Sequence, residues 1–155
     1  APGADLAAAV AEANVRLCEN NVAEMFVTAW IGSYDRKTRV VRYVNAGHNP
    51  PIVKRSGGAV EWVRTRGGLP LAAAEVAKYR IETLPLGKGD TLLLYTDGVT
   101  EAENSALEFY GEKRLMAAVA AADRNVVDAV RADVDLFAAE AEQADDITLL
   151  AFDVK

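Results

Sequence analysis

A single cysteine, Cys18, stands among the 155 residues, so no internal disulfide can form and a reducing cytoplasm is the expected setting. Cys18 falls in a helical pattern and is expected to act as a small packing residue. Long apolar runs are missing as well. No stretch of about eighteen apolar residues occurs, and Asp5, Glu12 and Arg16 interrupt the front of the chain, so neither a membrane span nor a signal peptide is expected. Positive charge is in deficit. With 17 basic against 23 acidic residues the net charge is −6, which opposes nonspecific binding to nucleic acid or to an anionic membrane. No internal repeat or low-complexity linker divides the chain.

What is present suits one globular domain spanning 1–155, since 51% of the residues are hydrophobic and can fill a sizeable core. Leu6, Val10, Ala13 and Leu17 recur at helical spacing and predict a first helix over about Ala4 to Asn20. The pattern then turns to strands: Met25 to Tyr34, Arg39 to Asn45, Pro51 to Lys54, Ala59 to Arg64, Lys78 to Leu84 and Thr91 to Thr96. Gly57-Gly58, Gly67-Gly68 and Gly87-Lys88-Gly89-Asp90 punctuate them, as antiparallel connections require. Helical spacing returns with Leu115, Val119 and Ala122 after Tyr110-Gly111, and again with Val127, Val130, Val134 and Phe137. A closing strand runs from Ile147 to Val154. Helix, many strands, two helices and a strand is the order of an α+β layered sandwich.

Two acidic motifs carry the chemistry. The apolar run Leu92-Leu93-Leu94-Tyr95-Thr96 delivers Asp97 to its end, and Gly98 follows at once. Glycine there lets the backbone turn sharply or approach a ligand closely. Asp145 and Asp146 open the closing strand. If the two strands pair antiparallel, the end of one meets the start of the other and Asp97 converges with one of that pair. Carboxylates so gathered repel one another unless a cation sits between them, and oxygen-only ligands suit Mg²⁺ or Mn²⁺. Successive strand residues point to opposite faces, so one of Asp145 and Asp146 is expected to be a ligand and its neighbour an outer or surface group. The competing reading is an ordinary Asp-Gly turn and two unrelated strand ends with solvated acids. A haloacid dehalogenase-type phosphatase is excluded, because its nucleophilic aspartate would fall where Tyr95 stands.

The motifs also occur in a telling order: Met25-Phe26-Val27-Thr28-Ala29-Trp30, Asn45-Ala46-Gly47-His48-Asn49-Pro50-Pro51, Gly68-Leu69-Pro70-Leu71, the segment from Gly89 to Ala102, Tyr110-Gly111-Glu112-Lys113-Arg114-Leu115, and Asp145-Asp146-Ile147-Thr148-Leu149-Leu150. From Asp5 to Val154 the series resembles the sporulation-E-type branch of the bacterial metal-dependent serine/threonine protein phosphatases, relatives of the type 2C enzymes. The resemblance implies two stacked, mainly antiparallel β-sheets flanked by helices, an αββα sandwich. It implies two Mn²⁺ or Mg²⁺ ions that activate a water to attack a phosphoserine or phosphothreonine, with no side chain as nucleophile. Asp97 matches the metal-binding aspartate of the family's Thr-Asp-Gly motif, Asp145 the aspartate that opens its last acidic motif, and Asp146 a position that is Asn in many type 2C relatives. The substrate it implies is a phosphorylated regulatory protein such as an anti-sigma-factor antagonist, in transcriptional or stress regulation.

One departure bears on activity. The family's front strand with its Gly-Gly-Asp motif, and the Asp-Val-Ser-Gly motif and helix after it, have no counterpart here; the first helix matches the family's second. The expectation is an N-terminally truncated domain in which Asp97 and Asp145 form half a site. An exposed sheet edge would then offer a template for a homodimer. The alternatives are a non-catalytic binding or regulatory module with an incomplete metal site, and a structural metal that ties two strands together.

Other residues have plainer readings. His48 can donate a proton to a leaving oxygen, but a turn histidine beside Pro50-Pro51 is the simpler expectation. Trp30 and Trp62 are expected to pack, Arg64, Arg66 and Lys78 to form a solvated face, and Glu101 and Glu103 to be surface acids near the metal.

Overall fold

The structure, a computed structural model, describes residues 5–19, 21–141, 143 and 145–155. Ala4 and Asn20, the expected ends of the first helix, lie outside them. The chain divides into two compact units, Ala1–His48 with Thr65–Leu86, and Asn49–Arg64 with Gly87–Lys155. Each is an antiparallel sheet with helix, one helix in the first unit and three in the second among the described residues, as the α+β reading expects.

The first unit holds α1 (Leu6–Cys18), β1 (Ala29–Asp35), β2 (Val40–Ala46) and the later β5 (Glu82–Pro85), in the order β1-β2-β5. Asp5 caps α1 by accepting from the Ala7 N–H at 3.1 Å. The buried face of α1 is rotated from the expected stripe. Val10 and Asn14 are buried, with Leu6, Ala7 and Ala11 beside them, whereas Ala13 and Leu17 are exposed. Asn14 goes inside because its amide is fully used: it donates to the Ala74 and Glu75 carbonyls (2.9 and 3.2 Å) and accepts from the Ala72 N–H and the Tyr79 hydroxyl (2.9 and 3.1 Å). β1 starts four residues later than expected. The Asn21 side chain bonds the Met25 backbone in both directions, at 2.6 and 3.0 Å, and holds Asn21–Met25 in a turn; beyond it Val27 pairs with Leu71 through two backbone bonds (2.9 and 2.8 Å), an isolated bridge outside β1. β5 is short because only Glu82–Pro85 lie opposite Val40–Tyr43 of β2. Trp30 packs as expected, its ring stacked on Tyr43 with centroids 5.0 Å apart.

The second unit holds β3 (Ile52–Lys54), β4 (Val60–Trp62), β6 (Thr91–Tyr95), α2 (Asp97–Thr100), α3 (Gly111–Ala121), α4 (Val126–Ala138) and β7 (Leu149–Asp153), with sheet order β4-β3-β6-β7. Ile52, Leu93 and Tyr95 project from one face of the sheet into a core with Leu115, Val119, Val126, Val130 and Val134. Leu115, Val119, Val130 and Val134 are the positions read from the sequence, whereas Val126 is buried in place of Val127, which with Phe137 is only partly buried. Fully burying a side chain such as Leu115 stabilises the fold by roughly 2 kcal/mol. Trp62 packs against this core, its ring centroid 6.2 Å from that of Tyr95. Polar groups close the ends of the helices. The Lys54 ammonium donates to the carbonyls of Val119, Ala120 and Ala122 at the end of α3, and Asn125 accepts from the Val127 and Asp128 N–H groups at the start of α4. Among the described residues no helix is long and apolar enough to cross a membrane.

Candidate functional site

β6 is a central strand: β3 pairs with Thr91–Leu93 and β7 with Thr91–Tyr95, so its C-terminal end is held by β7. The ladder runs from Thr91 opposite Asp153 to Tyr95 opposite Leu149, which is the antiparallel pairing that convergence of the two acidic motifs requires. Asp97 differs from expectation in one respect: it opens a single helical turn, Asp97–Thr100, instead of ending the strand. Thr96 stays extended (φ −87°, ψ 161°) as the residue before that turn, and the Glu101 N–H closes it on the Asp97 carbonyl at 2.8 Å. A carboxylate in the first turn suits the local backbone dipole, and Val99, fully buried, anchors the turn in the core.

Gly98 explains why the two acidic segments touch. A Cβ at this position would lie 2.5 Å from the Asp146 carbonyl oxygen, 3.0 Å from the Asp146 carbonyl carbon and 3.3 Å from the Asp145 carbonyl oxygen. Any side chain would push the Asp145–Asp146 backbone away from the turn that carries Asp97. Glycine is needed here for close approach.

The carboxylates themselves stay open to solvent. Asp97, Asp145 and Asp146 are all exposed. One oxygen of Asp97 accepts from the Gly98 N–H (3.2 Å) and one of Asp145 from the Asp146 N–H (2.7 Å), so each keeps its other oxygen clear of these bonds. The Gln143 amide donates to the Asp145 carbonyl at 2.8 Å. Among the described residues no three histidine, cysteine or carboxylate groups gather into a preformed cage. Exposed oxygen donors on two facing segments fit a hard cation that takes one or two carboxylates and keeps several waters.

Sequence reasoning missed the tie between the segments. The Thr96 hydroxyl accepts from the Thr148 N–H at 2.9 Å and donates to the Asp146 carbonyl at 3.0 Å, and the Thr96 N–H donates to the Thr148 carbonyl at 3.1 Å. The available signal was a threonine directly before Asp97 and another two residues after Asp146. Tyr95 is buried, and burial, then the charge of Glu112, pushes its phenol up, so it is a neutral packing group.

A groove of about 400 Å³ adjoins Gly98, lined also by Glu103, Arg131, Asp135, Gln143 and Ile147. A larger concavity of about 580 Å³ lies by Thr91, at the opposite end of β6. Its Lys54 is committed to the end of α3 and its Arg55 to Glu61 and Asp90. Glu101 is exposed and Glu103 half-buried in the smaller groove.

The remaining candidates have plainer settings. His48 belongs to the first unit, in a turn built by Asn45, whose amide donates to the His48 carbonyl (2.9 Å) and accepts from the His48 N–H (2.8 Å). Gly47, at φ +76°, lets that turn form against Pro70. Arg64, Arg66 and Lys78 are exposed, as a solvated face would be, and Cys18 is half-buried.

The family model for stage II sporulation protein E (SpoIIE) matches residues 1–155. The phosphoserine phosphatase RsbU of Bacillus subtilis is 33% identical over 96 residues, 60% of this chain and 29% of that protein. The crystal structure of the RsbU and RsbW domains of Rv1364c from Mycobacterium tuberculosis superposes with a TM-score of 0.76 at 26% identity, covering 97% of this chain and 42% of that one. The phosphatase domain of SpoIIE from Bacillus subtilis, presoaked with Mn, shares the fold with a TM-score of 0.69 at 18% identity, over 98% of this chain and 68% of that one. This chain spans less than a third of the length of the curated relatives it matches.

Proposed function

The chain belongs to the SpoIIE family, and from that membership we propose that it is the C-terminal portion of one metal-dependent serine/threonine phosphatase domain, to which both units belong. In this reading Asp97 and one or both of Asp145 and Asp146 hold Mn²⁺ or Mg²⁺, two ions being the family complement. When bound, the ions polarise the phosphate and make a water nucleophilic at neutral pH. The chain's own residues do the placing. β6 and β7 bring the two acidic segments to one end of the sheet, the gap at Gly98 lets them touch, and solvent-exposed carboxylates leave room for a phosphoryl group. The observation that carries the proposal is the approach of the Asp146 carbonyl to Gly98, which sets the second acidic segment against the turn bearing the first.

The substrate in this proposal is a phosphorylated regulatory protein, such as an anti-sigma-factor antagonist, in the cytoplasm. The naming of RsbU as a phosphoserine phosphatase, and of RsbU and RsbW domains in one solved relative, supports it. The test is phosphate release from a phosphoserine peptide by the protein with Mn²⁺, beside Asp97→Asn and a chelator control. A fall of more than about 100-fold in the variant is expected, since even groups behind a metal ligand are worth 10- to 100-fold. Metal-independent release, or an unchanged rate in Asp97→Asn, would refute it.

A second reading is favoured by the lack of a three-ligand cluster among the described residues: a regulatory module that binds the cation and its partner without hydrolysis. It expects Mn²⁺ binding with no phosphate release. Homodimerisation through an outer strand, β1 or β5 in one sheet and β4 or β7 in the other, belongs to either reading, and a clean monomer by light scattering at high concentration would count against it.

A further inference from the structure

We propose that Thr96 is a positioning residue for the cation site: its hydroxyl sets where the Asp145–Asp146 segment sits relative to Asp97. The inference rests on the metal reading above and deepens it. Thr96 lies between β6 and the turn that Asp97 opens, and it meets the other acidic segment three times. Its N–H donates to the Thr148 carbonyl (3.1 Å), its hydroxyl accepts from the Thr148 N–H (2.9 Å), and the same hydroxyl donates to the Asp146 carbonyl (3.0 Å).

The backbone contact alone would continue the β6–β7 ladder by one step. The two hydroxyl bonds do something else. They replace the partner that the Thr148 N–H lacks once the ladder ends at Tyr95 opposite Leu149, and they turn the Asp146 carbonyl toward β6. That carbonyl is the group which leaves no space for a Cβ at Gly98. Thr96 pulls the second acidic segment in, and Gly98 permits the approach. Gln143 holds the other side of the segment by donating to the Asp145 carbonyl (2.8 Å). Exposed aspartates on a loop carry little rigidity of their own, and groups that orient metal ligands typically carry 10- to 100-fold in metal affinity.

The experiment compares the native protein with Thr96→Ser, which keeps the hydroxyl, Thr96→Val, which replaces it at equal size, and Thr96→Ala, which removes it without a branched methyl. Mn²⁺ affinity is read by titration calorimetry and exchange of the Thr148 amide by NMR. Thr96→Ser is expected to bind Mn²⁺ within about twofold of native, and Thr96→Val and Thr96→Ala to bind about 10-fold or more weakly, with faster exchange at Thr148. Where Thr96→Val does not fold, Thr96→Ala and Thr96→Ser give the same contrast. Native-like Mn²⁺ affinity in Thr96→Ala, whether or not Thr148 exchanges faster, would overturn the inference. Absence of Mn²⁺ binding in the native protein would instead defeat the metal reading on which it rests.

Discussion

In the second unit, α3 and α4 meet their sheet through Leu115, Val119, Val130 and Val134, all essentially inaccessible to solvent, whereas in the first unit α1 packs Val10 with Val44 and Ala46 of β2 and buries one amide, Asn14, against residues 72–79. The wide apolar core places its helices chiefly by shape, beside a bond from the Tyr110 hydroxyl to Asp133 of α4 (2.6 Å). The narrow one adds a polar network that reaches Ala72, Ala74, Glu75 and Tyr79 and so fixes a loop that no strand holds. In the first unit a polar side chain enters the helix contact and specifies one arrangement; in the second, the buried carboxylate Asp90 is bonded outside the helices, to Arg55, Ser56 and Gly87.

The largest expected effect is in the apolar unit. Leu115→Ala should cost about 3 kcal/mol through lost burial and the cavity it leaves, measured by urea unfolding. A cost under about 1 kcal/mol would mean the α3 contact with the sheet collapses easily, and the contrast between the units would blur. Asn14→Leu should come next, at about 2 kcal/mol, because the shape is kept while the Ala72 N–H and the Ala74 and Glu75 carbonyls lose their partner. A neutral or stabilising result would show that the amide is dispensable and that apolar packing governs both units.

Acid sharpens the comparison within the second unit. Burial alone would push the Asp90 carboxyl up, but the Arg55 guanidinium and the Ser56 and Gly87 amides outweigh it and hold the group below its usual 3.8. A depressed folded value means that the stabilisation is present above the unfolded value and is lost as pH falls through the folded one. Stability should therefore decline below about pH 4, and Asp90→Asn should flatten that decline while costing about 1.5 kcal/mol at neutral pH. An acid limb unchanged in the variant would assign the decline to other groups. The smallest effect is at the end of α4, where Asn125→Ala removes the cap to the Val127 and Asp128 amides and should cost about 1 kcal/mol, read as a lowered Tm.

The sequence made the apolar unit legible and the polar one much less so. Leu115, Val119, Val130 and Val134 announce their helices by local spacing, and acids at the end of one apolar run and the start of another raise the β6–β7 pairing as one possibility, which the structure shows. Asn14 could not be read that way, since its partners lie 58 to 65 residues along the chain and a polar residue carries no periodic signal for burial. The site divides along the same line. Asp97, Asp145 and Asp146 were visible as motifs and Gly98 as a glycine for a turn or a ligand, but the closeness of the Asp146 carbonyl to Gly98 and the Thr96 hydroxyl, which acts across 50 and 52 residues, emerge only when the strands are paired. The one-turn helix at Asp97 escaped because four residues are too few for helical periodicity to register.

The central claim is that Asp97 and the Asp145–Asp146 segment together hold a divalent cation. Anomalous scattering from crystals soaked in Mn²⁺ tests it most directly. The expected result is a peak within bonding distance of an Asp97 carboxylate oxygen and of Asp145 or Asp146; a peak elsewhere, or none at saturating Mn²⁺, would contradict the account.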